Sequence, residues 1–145
     1  MKAVVQRVRE ASVTVDGAVV GAIEEGMLVL LGVMREDDEA AVERMAERLA
    51  SFRFFADEDG RMNRSVLDVG GQALVVSQVT LAADGRRGRR PSLDRAAPPA
   101  RAQELYEAFV RALEARGVPC ARGVFGAQME VRLWNDGPVT FALEL

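Results

Sequence analysis

The sequence predicts an α/β fold in a single compact layered domain that spans residues 1–145. The length of 145 residues is usual for one domain. No repeat, linker or low-complexity segment divides the chain. Its apolar stretches predict about seven strands and two main helices, so part of the sheet surface must pack on sheet rather than on helix. We therefore expect sheet, sheet and helix layers.

The first third of the chain is rich in strand patterns. Residues 2–8 read as one strand, and residues 12–15 and 18–23 flank an Asp16-Gly17 turn signal that is typical of a hairpin. The continuous apolar run at 27–34 predicts a strand buried on both faces.

Caps and apolar spacing predict the two helices. Asp37 or Asp38 caps the first helix, which ends near Phe52. Its buried face is predicted to contain Val42, Met45, Ala46 and Leu49. The second helix begins at Pro98 and Pro99 and ends at Gly117.

The remaining segments complete the predicted domain. Residues 57–71 read as irregular, and residues 74–81 as a buried strand. Two last strands, near 129–134 and 139–144, flank the turn signal Asn-Asp-Gly-Pro, which predicts a hairpin.

The residue composition restricts the possible chemistry. The chain contains no histidine and a single cysteine, Cys120. This excludes a zinc site of the usual His and Cys ligands, and also Ser-His-Asp and Cys-His catalysis. We identify no carboxylate cluster that supports a bound Mg²⁺. We expect no metal and no cofactor, so any catalysis must use other side chains, backbone dipoles or the substrate itself.

The same composition predicts a cytoplasmic protein. A single cysteine excludes an internal disulfide and fits a reducing compartment. Charged residues interrupt the N-terminal stretch MKAVVQRVRE, unlike a signal peptide. No apolar run reaches the ~18 residues that a membrane-spanning helix needs. We expect no membrane partner.

Polar residues occupy the end of the predicted strand at 74–81. Ser77, Gln78 and Thr80 lie where more apolar residues are expected. Strand alternation places Ser77 and Val79 on one face, and Gln78 and Thr80 on the other. If the strand end splays, its hydroxyl and N–H groups face a pocket; the alternative is a strand that simply runs out into solvent.

A polar, basic loop, residues 82–97, follows this strand end, and we refer to it as the basic loop. Its arginines give residues 82–101 a net charge of +4 in a chain whose net charge is −3. Guanidinium groups pair well with phosphate oxygens, which makes Arg86, Arg87, Arg89 and Arg90 candidates for contact with nucleic acid. The alternative is a solvated loop.

Two further segments carry candidate residues. In NDGPVT (135–140), Pro138 lacks a donor, so the carbonyls of Gly137 and Pro138 can remain free acceptors. In GVFGAQMEV (123–131), Phe125 and Met129 can cover a planar base, although each also suits a simple core position.

Together these motifs resemble the D-aminoacyl-tRNA deacylase family. SQVTL is similar to the SQxT signature of that family, and NDGPVT to its NxGPVT signature. The resemblance covers essentially the whole chain, including RRGRRPS, ELYEAF and GVFGAQM. Val79 departs from a position where many members carry phenylalanine, and Gly85 from one where threonine is common.

The resemblance implies an enzyme that hydrolyses the ester between a D-amino acid and the 3′ end of a tRNA. It also implies action on glycyl-tRNA mischarged on tRNA-Ala. Catalysis would use backbone groups and the substrate's own 2′-hydroxyl, with Ser77, Gln78 and Thr80 positioning groups. Val79, Phe125 and Met129 would contact the substrate, and the basic loop the tRNA.

The resemblance further implies a homodimer with its active sites at the subunit interface. A cis Gly137-Pro138 bond would enter the partner's site, where its carbonyls exclude L-amino acids, and Arg7 would steady this motif. No DNA partner is expected. Four alternatives stay open: a covalent Thr80 nucleophile, a small-molecule esterase using Ser77 or Thr80, a non-catalytic tRNA-binding module, and a purely structural dimer.

Overall fold

A computed structural model describes residues 1–86 and 88–145 of the chain. Within this part it contains strands β1 (Lys2–Val15), β2 (Ala18–Ile23), β3 (Gly26–Gly32), β4 (Phe55–Ala56), β5 (Met62–Arg64), β6 (Gln72–Ser77), β7 (Cys120–Arg122) and β8 (Glu130–Glu144). Helix α1 spans Glu39–Ser51, helix α2 spans Pro99–Ala115, and a short 3₁₀ helix spans Val79–Ala82. The predicted α/β class and the two main helices are confirmed.

Capping residues set the start of both helices. Of the two candidates for α1, Asp38 is the N-cap, and its side chain accepts a hydrogen bond from the Ala41 N–H at 2.8 Å. Pro98 is the N-cap of α2, with Pro99 in the first turn as predicted. In the described residues, no helix is long and apolar enough to cross a membrane.

The main sheet has the order β2-β1-β3-β6-β7, and β8 also pairs with β1. Strand β1 pairs antiparallel with β3 through residues 2–8 and with β2 through residues 11–15, while β8 follows it antiparallel from Thr14 back to Lys2. Strands β3, β6 and β7 are parallel neighbours. The two predicted strands at 2–8 and 12–15 are therefore one strand that changes partners.

Two cores lie on opposite faces of this sheet. The helices cover one face, where Val29 and Val75 pack against Met45 and Phe109. The strands themselves enclose the second core, which contains Val8, Val13, Leu28, Leu74 and Val76. Successive residues of β3 face the two cores in turn, which confirms a strand buried on both faces. Sheet, sheet and helix layers therefore pack as predicted.

The sheet curls until its outer strands β2 and β7 approach each other. At Gly21 of β2, an added Cβ would collide with the backbone carbonyl of Arg122 in β7. Glycine is required there because only its bare backbone fits against the neighbouring strand. Strand β7 and the small β4–β5 pair were not predicted, and they bring the strands of the described residues to eight.

The predicted strand at 74–81 was wrong beyond its first half. Strand β6 ends at Ser77, and residues 79–82 turn into the 3₁₀ helix. The last ladder bond runs from the Gln78 N–H to the Leu31 carbonyl at 2.8 Å, at the end of β3. Leu81 then folds back over Gly32, where an added Cβ would lie only 2.8 Å from the Leu81 Cβ.

The predicted hairpin at residues 135–138 was also wrong. Strand β8 runs in one direction along β1, with Asn135 opposite Val8 and Thr140 opposite Gln6. Four residues are accommodated between these two pairs as an outward loop, which we name the 136–139 loop. The turn residues do not reverse the chain because the segments on both sides already pair with the same long strand.

Candidate active site

A cavity of about 570 Å³ opens at the carboxyl end of the parallel strands β3 and β6. Its walls come from the ends of β3 and β6, the start of α2 and the segment before β8. The lining residues are Val33, Val76, Ser77, Gln78, Val79, Ala97, Pro99, Ala102, Phe125, Gly126, Ala127, Gln128, Met129 and Val131. Ligand sites commonly occupy this volume range and this edge of a parallel sheet.

Three consecutive residues of the SQVTL segment line the cavity. Ser77 is the last residue of β6, and Gln78 and Val79 follow where the chain leaves the sheet. The predicted alternation between faces does not apply here, because the backbone is no longer extended after Gln78. Val79 is 49% exposed at the mouth of the cavity.

Thr80 lies beside the cavity rather than in its lining. Its hydroxyl oxygen accepts a hydrogen bond from the Gln78 Nε2. Among the described residues, Gln78 is its side-chain hydrogen-bond partner, and no carboxylate or amine takes that position. Since the oxygen already accepts, the O–H remains able to donate outward. This contact leaves the Thr80 hydroxyl hydrogen available to donate, whereas activation as a nucleophile would need a base at the same hydroxyl.

The segment 123–129 forms the opposite wall. Phe125 and Met129 both line the cavity, as their candidate roles require. The Gly123 N–H donates to the Val75 carbonyl at 3.0 Å, which fixes the start of the segment on β6. An added Cβ at Gly123 would lie 2.7 Å from the Met129 sulfur, so the Met129 side chain would have to shift.

Sequence reasoning missed the support that Tyr106 gives to this wall. Its hydroxyl donates to the same Val75 carbonyl at 2.9 Å, and its ring lies 6.0 Å from that of Phe125. Burial raises the pKa of Tyr106 to about 12, so the hydroxyl stays protonated at neutral pH. The sequence did contain a signal for this contact. Tyr106 lies among the apolar residues of α2, and a buried tyrosine hydroxyl needs a hydrogen-bond partner.

The basic loop starts and ends at the cavity. It follows the 3₁₀ helix that begins with Val79, and it returns to the lining residue Ala97. Asp84 and Ser92 pair across its base through two backbone hydrogen bonds of 2.9 and 3.2 Å. Arg86, Arg89 and Arg90 are exposed. The candidate Arg87 lies outside the described residues.

The 136–139 loop is the second candidate region. Its Gly137-Pro138 peptide bond is cis, and both residues are exposed. Arg7 holds the start of the loop, because its Nε donates to the Asp136 carbonyl at 2.9 Å. Its NH1 donates to the Phe54 carbonyl at 2.8 Å, which ties this arginine to the segment after α1.

A single chain does not bring the two regions together. Arg7 pairs with Met27 near the start of β3, whereas Ser77 pairs with Leu31 near its end. Four residues of strand separate these levels by about 13 Å. Neither Gly137 nor Pro138 lines the cavity. Ser77, Gln78, Val79, Phe125 and Met129 therefore form one group, and Arg7, Gly137 and Pro138 form another.

The cavity lining combines many apolar residues with a few polar side chains. Most of its lining is apolar, and Ser77 and Gln78 provide its polar side chains together with Gln128. In residues 1–86 and 88–145, no three His, Cys, Asp or Glu side chains group as a metal site. Such a surface can hold a flat apolar group while a few polar atoms orient it.

Comparisons with known proteins identify close relatives of this chain. A family model described as D-Tyr-tRNA(Tyr) deacylase matches residues 4–144. A D-aminoacyl-tRNA deacylase of Roseiflexus castenholzii is 59% identical over 144 residues, which cover 99% of this chain and 92% of the relative. That of Shewanella loihica is 55% identical over 145 residues, the full length of both.

Solved structures share the fold. One described as "c-Myc DNA Unwinding Element Binding Protein" matches with a TM-score of 0.94 and 41% identity, over 100% of this chain and 99% of the other. One described as "Structural Analysis of a probable eukaryotic D-amino acid tRNA deacylase" has a TM-score of 0.81 over 98% of each chain. Its 16% identity supports the fold alone.

Proposed function

The chain belongs to the D-Tyr-tRNA(Tyr) deacylase family, and on this premise we propose that it hydrolyses the ester bond of D-aminoacyl-tRNA. The products are free tRNA and the D-amino acid. The observation that carries the proposal is the identity of 59% with a relative of that name along nearly the whole chain. The protein would serve translation quality control in the cytoplasm.

The cavity is the proposed place of the aminoacyl end of the tRNA. Phe125 and Met129 offer an apolar wall for the terminal adenine, since aromatic side chains commonly stack on bases. Ser77, Gln78 and Val79 line the opposite side, where the ester would lie. The basic loop leaves from the rim of this cavity, which suits phosphate contacts close to the bound 3′ end.

We expect catalysis without a nucleophilic side chain. The Thr80 oxygen accepts from Gln78, which favours a donor role for its hydroxyl. Backbone N–H groups near the strand end would stabilise the developing oxyanion, an effect worth about 3–4 kcal/mol when one such donor is lost. The 2′-hydroxyl of the terminal ribose would help to activate water.

Selection against L-amino acids would come from a second copy of the chain. The 136–139 loop lies about 13 Å along the sheet from the level of Ser77 in its own chain. A homodimer would bring the partner's loop to this cavity. The exposed carbonyls of Gly137 and Pro138 would then meet an L side chain and exclude it.

The primary test measures hydrolysis of D-Tyr-tRNA and L-Tyr-tRNA with the purified protein. We expect rapid loss of the D-form while the L-form is spared. Equal hydrolysis of both would support a deacylase activity but refute the proposed exclusion of L-amino acids. Loss of neither would refute the proposed activity.

The same assay with tRNA-Ala carrying glycine or L-alanine addresses the narrower substrate. Glycine has no side chain to meet the proposed carbonyls, so glycyl-tRNA should be hydrolysed and L-alanyl-tRNA spared. Resistance of the glycyl form would limit the activity to D-aminoacyl groups.

The covalent alternative is tested at Thr80. Because its hydroxyl is placed as a donor, Thr80→Ala should retain measurable turnover, with a loss of about 10- to 1,000-fold. Activity at the background rate, together with loss of an acyl-enzyme that can be trapped in the unchanged protein, would establish a nucleophile instead.

A second candidate is nucleic-acid binding without hydrolysis. The 41% identical solved structure is named as a DNA-unwinding-element binding protein, which favours testing DNA as well as tRNA. Binding that is equal for charged tRNA, uncharged tRNA and duplex DNA, without ester hydrolysis, would support this candidate. Hydrolysis of D-Tyr-tRNA would displace it as the main function.

A further inference from the structure

The 136–139 loop is closed by side chains at its two ends. Asn135 is the centre of this closure. Its Oδ1 accepts from the Val139 N–H at 2.7 Å, and its Nδ2 donates to the Val139 carbonyl at 3.3 Å. The same Nδ2 lies 3.1 Å from the Thr140 Oγ1. One amide side chain therefore binds both polar groups of the residue that follows Pro138.

Two neighbouring residues of β1 anchor the opposite ends of this loop. Arg7 donates to the Asp136 carbonyl at its start. Gln6 donates through its Nε2 to the Thr140 Oγ1 at 3.2 Å, just beyond the loop's end. The Thr140 oxygen thus accepts from both Gln6 and Asn135, and it joins the loop closure to β1.

We propose that Asn135 and Thr140 are positioning residues that set the discrimination between D- and L-aminoacyl groups. This inference rests on the proposed function. Neither side chain needs to touch the substrate, because both act through the loop that carries Gly137 and Pro138. Steric exclusion depends on the position of the obstructing atoms, so a loop released from Asn135 excludes an L side chain less well.

Both the oxygen and the nitrogen of the Asn135 amide are required. A carboxylate at this position still accepts from the Val139 N–H. Its second oxygen, however, faces the Val139 carbonyl, so that two acceptors oppose each other and the bond to this carbonyl is lost, whereas the Thr140 hydroxyl can turn to donate to the carboxylate. Asn135→Asp therefore opposes the closure while keeping almost the same size and shape.

The experiment compares the ratio of D-Tyr-tRNA to L-Tyr-tRNA hydrolysis across matched variants. Asn135→Asp should lower this ratio at least tenfold, through faster L hydrolysis relative to D. Thr140→Val keeps the shape and loses the acceptor, so it should lower the ratio several-fold. Thr140→Ser retains the oxygen and should keep the ratio of the unchanged protein. Asn63→Asp makes the same chemical change at an exposed position outside this loop and should leave the ratio unchanged.

Each outcome bears on the proposal. A folded Asn135→Asp protein with the original ratio would overturn it, and so would equal loss of both activities. If Asn135→Asp does not fold, the Thr140→Val and Thr140→Ser pair decides in the same way, with a thermal unfolding curve as the check on folding. An unchanged protein that hydrolyses neither substrate would instead refute the proposed function, so the two failures are distinguishable.

Discussion

The cavity and the 136–139 loop are held in place by different interactions. The cavity is shaped by packing, because its wall residue Phe125 rests on the core beside Tyr106. The loop exposes Gly137 and Pro138, and it is shaped by hydrogen bonds of Arg7 and Asn135 with its backbone. A packed wall tolerates polar changes at its edge, whereas a hydrogen-bonded loop depends on single polar atoms.

In the proposed function, neither region is a complete site by itself. The cavity has room for a ligand and few groups that could distinguish mirror images. Gly137 and Pro138 of the loop are exposed, and neither lines that cavity. In the proposed function, shape recognition and chiral selection are therefore separated within one chain.

The largest expected effect is at Gly137. Its φ of 146° lies where glycine is favoured, and an added Cβ would lie 2.6 Å from the Val139 Cγ2 and 2.8 Å from the Val139 nitrogen. Gly137→Ala should therefore displace the loop and lower the D to L ratio more than tenfold in the paired hydrolysis assay.

Gly60→Ala is the matched control for that variant. Gly60 also has a positive φ, of 78°, but its added Cβ would meet nothing within 4 Å. It shares the backbone strain, about 1–2 kcal/mol of stability, without the collision. A lowered D to L ratio in both variants would show that general destabilisation is the cause.

The next effect concerns the cavity wall. Phe125→Ala should raise the KM for D-Tyr-tRNA about 5- to 100-fold, if stacking on the terminal base is lost, and leave the D to L ratio unchanged. Phe52→Ala removes a similarly half-buried ring that packs on Phe54 and Phe141. If Phe52→Ala raises the KM as much as Phe125→Ala does, the cause is reduced stability rather than lost binding of the base.

A smaller and more uniform effect is expected from the basic loop. Replacing Arg86, Arg89 and Arg90 by Gln should weaken binding of all tRNAs alike. It should also reduce the slope of log Kd against log salt by up to about 2–3, roughly one unit for each lost phosphate contact. The control is the same replacement of Arg44, Arg48 and Arg111, which are exposed on the helices. Equal salt slopes for the two triple variants would contradict the assignment of phosphate contacts to the basic loop.

The smallest effect is expected at Tyr106. Tyr106→Phe removes the hydroxyl, but the Val75 carbonyl still accepts from the Gly123 N–H, so we expect a loss of about 1 kcal/mol in unfolding free energy. The pKa of Tyr106 is raised from 10.0 to about 12 in the folded protein. Its stabilisation is therefore complete below pH 10 and is lost as the pH rises toward 12.

Chemical denaturation across this pH range measures the Tyr106 contribution. Burial also raises the pKa of Cys120 to about 12, so the unchanged protein loses stability through two groups in this range. The Phe variant should show a shallower fall because only the cysteine contribution remains. Identical pH profiles for the two proteins would contradict the assigned role of burial at Tyr106.

Local patterns predicted the elements whose partners lie close in sequence or whose burial is complete. The spacing of Val42, Met45 and Leu49 identified α1, and the two candidate caps Asp37 and Asp38 marked its start, where Asp38 is the N-cap. The apolar run at 27–34 identified β3, because a strand with two buried faces needs no polar alternation. These features depend on the chain's own chemistry more than on its distant contacts.

The errors arose where distant strands decide the outcome. Ser77 ends β6 because β3 supplies no ladder partner beyond Leu31 for the following residues. The turn signal at 135–138 became an outward loop because β1 is long enough to pair on both sides of it. The cavity residues Ser77 and Phe125 could be predicted from motifs. The hydrogen bonds of Tyr106 and Asn135 that support the site are evident only in the three-dimensional structure.

Strand β8 also determines which length changes this chain can tolerate. It carries the cavity residue Val131 near its start and the 136–139 loop near its middle, and pairing with β1 positions both, with the register shifting only around Val8. A single residue inserted or deleted within 132–135 would turn the following side chains to the opposite face. We expect constant spacing between these two positions among relatives, while the exposed tip of the basic loop is free to vary in length.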